Sequence, residues 1–362
     1  MYRSLSRCVR RLRKVQNPTA DERHPMSSPI TNLPTLTHTS RRLSRSLGLL
    51  FVALLICSLN LCAQSASPAQ PPQPTQAQAE LYERWRANMR EHQHTAYEAG
   101  KEYLAKYPND EYAAYVRPWV EAYERAARKA RFQQLLYKDK KYSEAYAAGR
   151  EVLADEPENL KAIIDLASAA YLAAGAGDEA AKAAALALAR KAVGLLEANP
   201  KVTDWQPFRN SADALGYLDF VIGDLILKDA PADAITYLRK AALSDSAVKQ
   251  TPDVYARLAA AYAKSEYEPL ARDFAERYAG KEATPESQAA LAKIYPVLDR
   301  IIDAYARAVA LSKDVPQYNA ARSRWLQELT ELYKSRHDGA TDGLNDLITN
   351  VVNKPLPETT TP

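Results

Sequence analysis

The chain has 362 residues, 47% hydrophobic and 25% charged, a composition that excludes wholesale disorder and gives ample length for a core. Its formal charge of +4 sits at one end, because residues 1–65 hold ten Lys/Arg and two Asp/Glu and the remainder holds 38 against 42. A mildly acidic body argues against a general nucleic-acid binder.

Ala, Leu, Glu, Lys and Arg dominate and there are only 11 Gly, which favours helix over sheet. Tyr (22) far outnumbers Phe (5). An aromatic ring with a polar tip suits half-exposed helix faces. Cys8, Cys57 and Cys62 are the only cysteines. The chain after residue 65 therefore holds no disulfide and no thiolate metal site.

Residues 1–40 are polar and basic, with Met26 as a second possible start. Arg41, Arg42 and Arg45 precede an apolar run over residues 47–61. A positive flank and a run of this length read as a secretory signal peptide, because a bilayer span takes roughly 20 apolar residues. Ala63 and Ser65 place small residues three and one before a cut at Ala66. Residues 1–65 are thus a leader, and export to the periplasm or cell envelope is expected. The alternative is a retained leader that anchors an assembly factor in the membrane. Residues 66–79, rich in Pro, Gln and Ala, form an extended linker.

Helices are expected from residue 80. Residues 96–108 (AYEAGKEYLAKYP) and 145–157 (AYAAGREVLADEP) agree at eight of thirteen positions. Repetition at a separation of tens of residues marks stacked supersecondary units. In each copy an alanine, Ala96 or Ala145, stands twelve before a terminating proline, Pro108 or Pro157. Gly100 and Gly149 predict close helix approach within each copy. Residues 160–174 and 179–198 form the next hairpin. Residues 215–227 and 233–243 follow, with Ala234, Leu238 and Ala241 on one face.

Residues 251–280 read as two short helices folded back on each other. Thr251, Pro252 and Asp253 make a helix start. Tyr255, Leu258, Ala259 and Tyr262 share one face, as do Ala271, Ala275 and Tyr278, with a turn expected before Pro269. Gly280 suits a helix end. This order of aromatic, Leu, small residue and Tyr, then two alanines one turn apart, resembles a tetratricopeptide repeat. Ala259 replaces that family's usual Gly and Ala275 its usual large residue. The resemblance implies an all-α, right-handed superhelical solenoid of antiparallel hairpins over residues 80–284. It also implies a binding role for a protein or peptide partner. The Lys and Asn clamp of some family grooves is absent here, where Ala256 and Ala260 stand.

Residues 285–354 carry three further apolar stripes, with Pro296 expected to kink the first. They are assigned as a capping region over the open end of the stack. Residues 355–362 are expected to be a disordered tail.

Chemistry is sparse. His92 and His94 are two apart, so on a helix they point in different directions. His337, Asp338 and Asp342 lack the alternating acidic pattern of a calcium loop and read as a helix-ending turn. A hydrolase using Asp338 and Asp342 is the catalytic alternative. No phosphate loop or serine elbow occurs, so no catalytic residue, cofactor or metal is assigned. Tyr112, Tyr115, Trp119, Tyr123, Tyr137 and Tyr142, with Tyr146, form the candidate peptide-binding face, since Tyr gives contact area at low entropic cost. Self-association through that face is the remaining option.

Overall fold

Residues 75–198 and 204–359 are described by the structure, a computed structural model. The leader, its signal peptide and the first part of the linker lie outside the described residues. Those residues are helical, with no strand among them. They divide between Ala127 and Arg128 into two compact units.

The first unit holds α1 (Gln76–Asn88), α2 (Gln93–Lys106) and most of α3 (Ala113–Gln133). Helix α1 begins four residues before the expected boundary, inside the stretch assigned to the linker. The Thr75 hydroxyl accepts from the Gln78 N–H, and the Gln78 side chain accepts from the Thr75 N–H. That reciprocal cap satisfies two free donors, and Gln and Ala then propagate the helix well. Helices α1 and α2 pair, and Trp85, Ala96, Ala99, Tyr103, Val116 and Val120 close a small core with α3.

The second unit begins with the end of α3, which widens into a π turn at Gln134–Lys138. Then come α4 (Tyr142–Asp155), α5 (Leu160–Gly175), α6 (Glu179–Glu197), α7 (Ser211–Ile226) and α8 (Pro231–Leu243). Each packs on the next in chain order. The turn between α5 and α6 uses Gly177 at φ +104°, and the Asp178 side chain accepts from the Ala181 N–H to start α6. Helices α5 and α7 are buried on nearly every side. An all-round apolar helix belongs in a core, where each Ile or Leu contributes roughly 1.5–3 kcal/mol.

The two internal copies bury equivalent positions. Ala96, Ala99, Gly100 and Tyr103 are buried in α2; Ala145, Ala148, Gly149 and Val152 are buried in α4. Both helices have their C-cap residue directly before a proline, at Tyr107 and Glu156, because the residue before proline avoids helical geometry. The expected close approach is present. A Cβ on Gly100 would lie 2.7 Å from Val120 Cγ2, and one on Gly149 would lie 2.8 Å from the Phe132 ring.

Residues 251–280 depart from expectation. Pro252–Tyr262 (α9), a π turn at Ala263–Tyr267, and Glu268–Tyr278 (α10) follow one another without a loop. The turn expected before Pro269 does not form. No Gly, Asn or Asp supplies it, and the wide π winding accommodates the proline. Tyr255, Leu258, Ala259 and Tyr262 are buried as a set, but against α8 and α11 (Pro285–Leu311). Hence α11, assigned from sequence to the capping region, is the antiparallel partner of α9, and the boundary at 284/285 divides one hairpin. Ala271 is buried beside Phe274, and Ala275 is only partly covered. Thr284 opens α11 with a reciprocal cap to Ser287, and the helix runs through Pro296. Helix α12 (Asn319–Arg336) packs on α11, and α13 (Leu344–Asn350) follows.

The tail expected to be disordered from Pro355 onward is placed through Thr359. Arg307 and Arg239 donate to its carbonyls.

Candidate functional site

The candidate face divides between the two units: Tyr112, Tyr115, Trp119 and Tyr123 belong to the first, Tyr137 and Tyr142 to the second. Tyr112, Trp119 and Tyr123 join Tyr82 and Trp85 of α1 and Tyr97 of α2 in one row of rings. Tyr82 lies 4.7 Å from Tyr112 and 5.3 Å from Trp85, centroid to centroid. Trp85 meets Trp119 edge-on at 6.2 Å, Trp119 stacks on Tyr123 at 5.7 Å, and Tyr123 stacks on Tyr97 at 4.7 Å. Offset and edge contacts of this kind stabilise ring pairs beyond their buried area. Trp85 is buried, whereas Tyr82, Tyr97, Tyr112, Trp119 and Tyr123 are half-exposed. The Trp85 Nε1–H finds no acceptor among the described residues. Tyr97 donates to Glu124 at 3.0 Å. Tyr103, beneath the row, donates to Asp110, and burial followed by that carboxylate pushes its hydroxyl up to about 12. Tyr115 stands apart from these contacts and is 66% exposed.

Tyr137, Tyr142 and Tyr146 belong to the second unit and pack on its core. Tyr137 donates to Asp165 at 2.7 Å, and Lys161 pairs with the same carboxylate. Asp165 is buried on α5, and desolvation raises it against the opposing pull of Lys161. Tyr137 is thereby committed to an internal contact.

A second polar row was not anticipated from sequence. Tyr171 of α5 donates to Asp224 of α7 at 2.8 Å. Arg257 of α9 pairs with Asp224 at 2.6 Å. One turn before Arg257, Asp253 accepts from Tyr318 at 2.8 Å. Burial raises Tyr171 and Asp253 alike, while Asp224 raises Arg257. The signal was available: a carboxylate in an apolar helical stretch, such as Asp224 in VIGDLI, is costly to bury unless it finds a partner.

Near the C-terminus a cleft of about 550 Å³ is lined by α11, α12, α13 and the tail. Three of its charged groups are paired within the fold: Asp299 with Arg336, Arg300 with Glu266 and Asp303 with Arg307. His337 stacks on Tyr333 with ring centroids 4.1 Å apart at the end of α12.

Asp338 and Asp342 sit in the turn after α12. Asp338 has φ +53° and Gly339 φ +95°, and the Gly339 N–H donates to the Lys334 carbonyl at 2.8 Å. This is a left-handed helix end. Tyr333 donates to the main-chain carbonyl of Asp342 at 2.7 Å. His92 occupies the N-cap position of α2 without a side-chain capping bond, and His94 leans on Tyr97. Among the described residues no group of three or more His, Cys, Asp or Glu is placed to hold a metal ion. No described helix is long and apolar enough to cross a membrane.

No family model, no curated protein and no solved structure matches the chain.

Proposed function

We propose that this chain is an exported, non-catalytic scaffold that binds a protein or peptide partner in the cell envelope. Its hairpins, which resemble tetratricopeptide units, are read as stacking into a right-handed solenoid. The matched burial of Ala96 with Ala145 and of Gly100 with Gly149 supports repetition. The pairing of each helix from α4 to α8 with its successor supports stacking. Export rests on the leader in residues 1–65.

One observation carries the binding role: five rings of the first unit, Tyr82, Tyr97, Tyr112, Trp119 and Tyr123, are half-exposed in one row of contacts. Tyr and Trp there offer rigid contact area at low entropic cost. The test is affinity capture of the exported form beside a Trp119→Ala, Tyr123→Ala variant with unchanged circular dichroism. A partner retained by the parent and lost from the variant is expected. Identical captured sets from both would reject this face.

A further inference from the structure

The last described residues lie against the second unit. Lys354 has φ −99° and ψ 151°. Arg307 Nη2 donates to the carbonyl of Lys354 at 2.9 Å and to that of Pro355 at 3.0 Å. Arg239 Nη1 donates to the carbonyl of Pro357 at 2.6 Å. Leu356, between the two prolines, is half-buried against the core.

Both arginines are set in place by the body of the protein. Arg307 is buried, paired with Asp303 at 2.7 Å and laid over the Tyr255 ring. Arg239 also donates to the Tyr262 hydroxyl at 2.9 Å. The grip is therefore pre-organised, which is what lowers the cost of binding a segment. All three tail contacts end on main-chain carbonyls, so they read extended backbone rather than side-chain identity. Proline fixes φ and keeps its carbonyl outward in an extended chain. One apolar side chain between two such residues completes the pattern.

The tail is held loosely for a core element. Lys354, Pro355 and Glu358 are exposed, and Leu356 and Pro357 are only half-covered. The 550 Å³ cleft is lined by Lys354, Pro357 and Glu358 of this segment together with Tyr333 and His337.

We propose that Arg239, Tyr262 and Arg307 form a binding site for extended Pro-apolar-Pro segments, and that residues 354–359 are its resident, displaceable occupant. A partner segment of that pattern takes the same three carbonyl contacts and extends into the cleft. The site uses none of the residues of the aromatic row, so it stands or falls separately from the binding face proposed above.

The test is fluorescence anisotropy with a labelled peptide of residues 353–362, NKPLPETTTP. It is titrated with the intact chain, a Leu356→Ser variant and a chain ending at Asn353. A tethered tail competes at an effective concentration on the order of millimolar. The shortened chain is therefore expected to bind the peptide at least about tenfold more tightly than the intact chain, with Leu356→Ser between them. Arg239→Gln in the shortened chain should weaken binding about fivefold or more, as should replacing both peptide prolines with Ala. A peptide of residues 66–79, whose Pro72-Gln73-Pro74 has a polar middle residue, should bind more weakly than the tail peptide. A folded shortened chain without saturable binding overturns the proposal. If shortening unfolds the protein, Leu356→Ser decides, and peptide binding no better than to the intact chain makes the tail a fixed part of the fold.

Discussion

Arg257 places its Nε 2.6 Å from Asp224 Oδ1, joining α9 to α7 across the interior of the second unit. Asp224 is largely buried and also accepts from Tyr171. Asp224→Ala removes at once the acceptor of the Tyr171 hydroxyl and the charge partner of Arg257. Breaking one side of a buried pair costs more than the pair itself contributes. Because the Arg257 side chain remains 39% exposed, water relieves part of that cost. The expected loss is about 2–3 kcal/mol, read as a lower urea midpoint at unchanged slope. Adding Arg257→Ala should recover part of it, and strict additivity of the two losses would show that the residues are not coupled.

The repeated glycines make a sharper test of helix contact. A Cβ on Gly149 meets Phe132 ring atoms and Leu166 at 2.8 Å, and both neighbours are buried. Gly149→Ala gains up to about 1 kcal/mol of helix propensity. It also forces a packed core apart at about 1–3 kcal/mol. A net loss of about 1–2 kcal/mol is expected. Gly194 is the control, since a Cβ there meets nothing within 4 Å on an exposed face of α6. Gly194→Ala should raise stability by about 0.5–1 kcal/mol. Thermal melts of the two variants side by side should move in opposite directions; two shifts of the same sign would reject close packing at Gly149.

These glycines also show what the sequence could and could not reveal. Gly100 and Gly149 were legible because local repetition placed them at equivalent points, and burial follows from helical period alone. The buried acids were half legible: Asp165 and Asp224 stand out in apolar helices, but Tyr137, Tyr171 and Arg257, which meet them, come from other elements. The tail was not legible. Its holders, Arg239 and Arg307, precede its carbonyls by 118 and by 47 or 48 residues. No local pattern encodes such a contact, and Pro-rich composition reads as loose chain. The aromatic face was split for a related reason. Seven rings close in sequence shared a composition, yet Asp165 drew Tyr137 inward to a different core.

Asp219 makes a pH prediction. It is buried on α7, one carboxylate oxygen has no hydrogen-bond partner, and desolvation lifts it to about 6. An unfolded Asp titrates near 3.9. Between those values the unfolded chain releases a proton that the folded chain keeps. The group therefore lowers stability as pH rises from about 4 to about 6, and the full penalty persists at neutral pH. Two pH units correspond to about 3 kcal/mol. Asp219→Asn should be more stable than the parent at pH 7, by an amount approaching that figure. The gap should shrink toward pH 4. Melting temperatures of both proteins from pH 4 to 8 give the comparison, and a pH-independent gap would show that charge burial is not its cause.

The π turn between α9 and α10 permits a last test. A π turn holds one residue more than the α-helical winding it interrupts. Pro269 follows it by two residues, lacks an N–H, and in a regular helix would press its ring on the carbonyl of Ser265. Deleting the half-exposed Ser265 removes the extra residue and closes the wide turn, so the proline must then sit in regular α-helix. That should cost about 3 kcal/mol. In a Pro269→Ala background the same deletion should cost about 1 kcal/mol or less, because alanine supplies the missing donor and relieves the clash. Pro269→Ala alone should be close to neutral. Chemical denaturation of the four proteins closes the cycle. If the deletion costs the same in both backgrounds, the wide turn is held by the packing of Tyr267, whose ring is fully buried within it, and the proline is incidental.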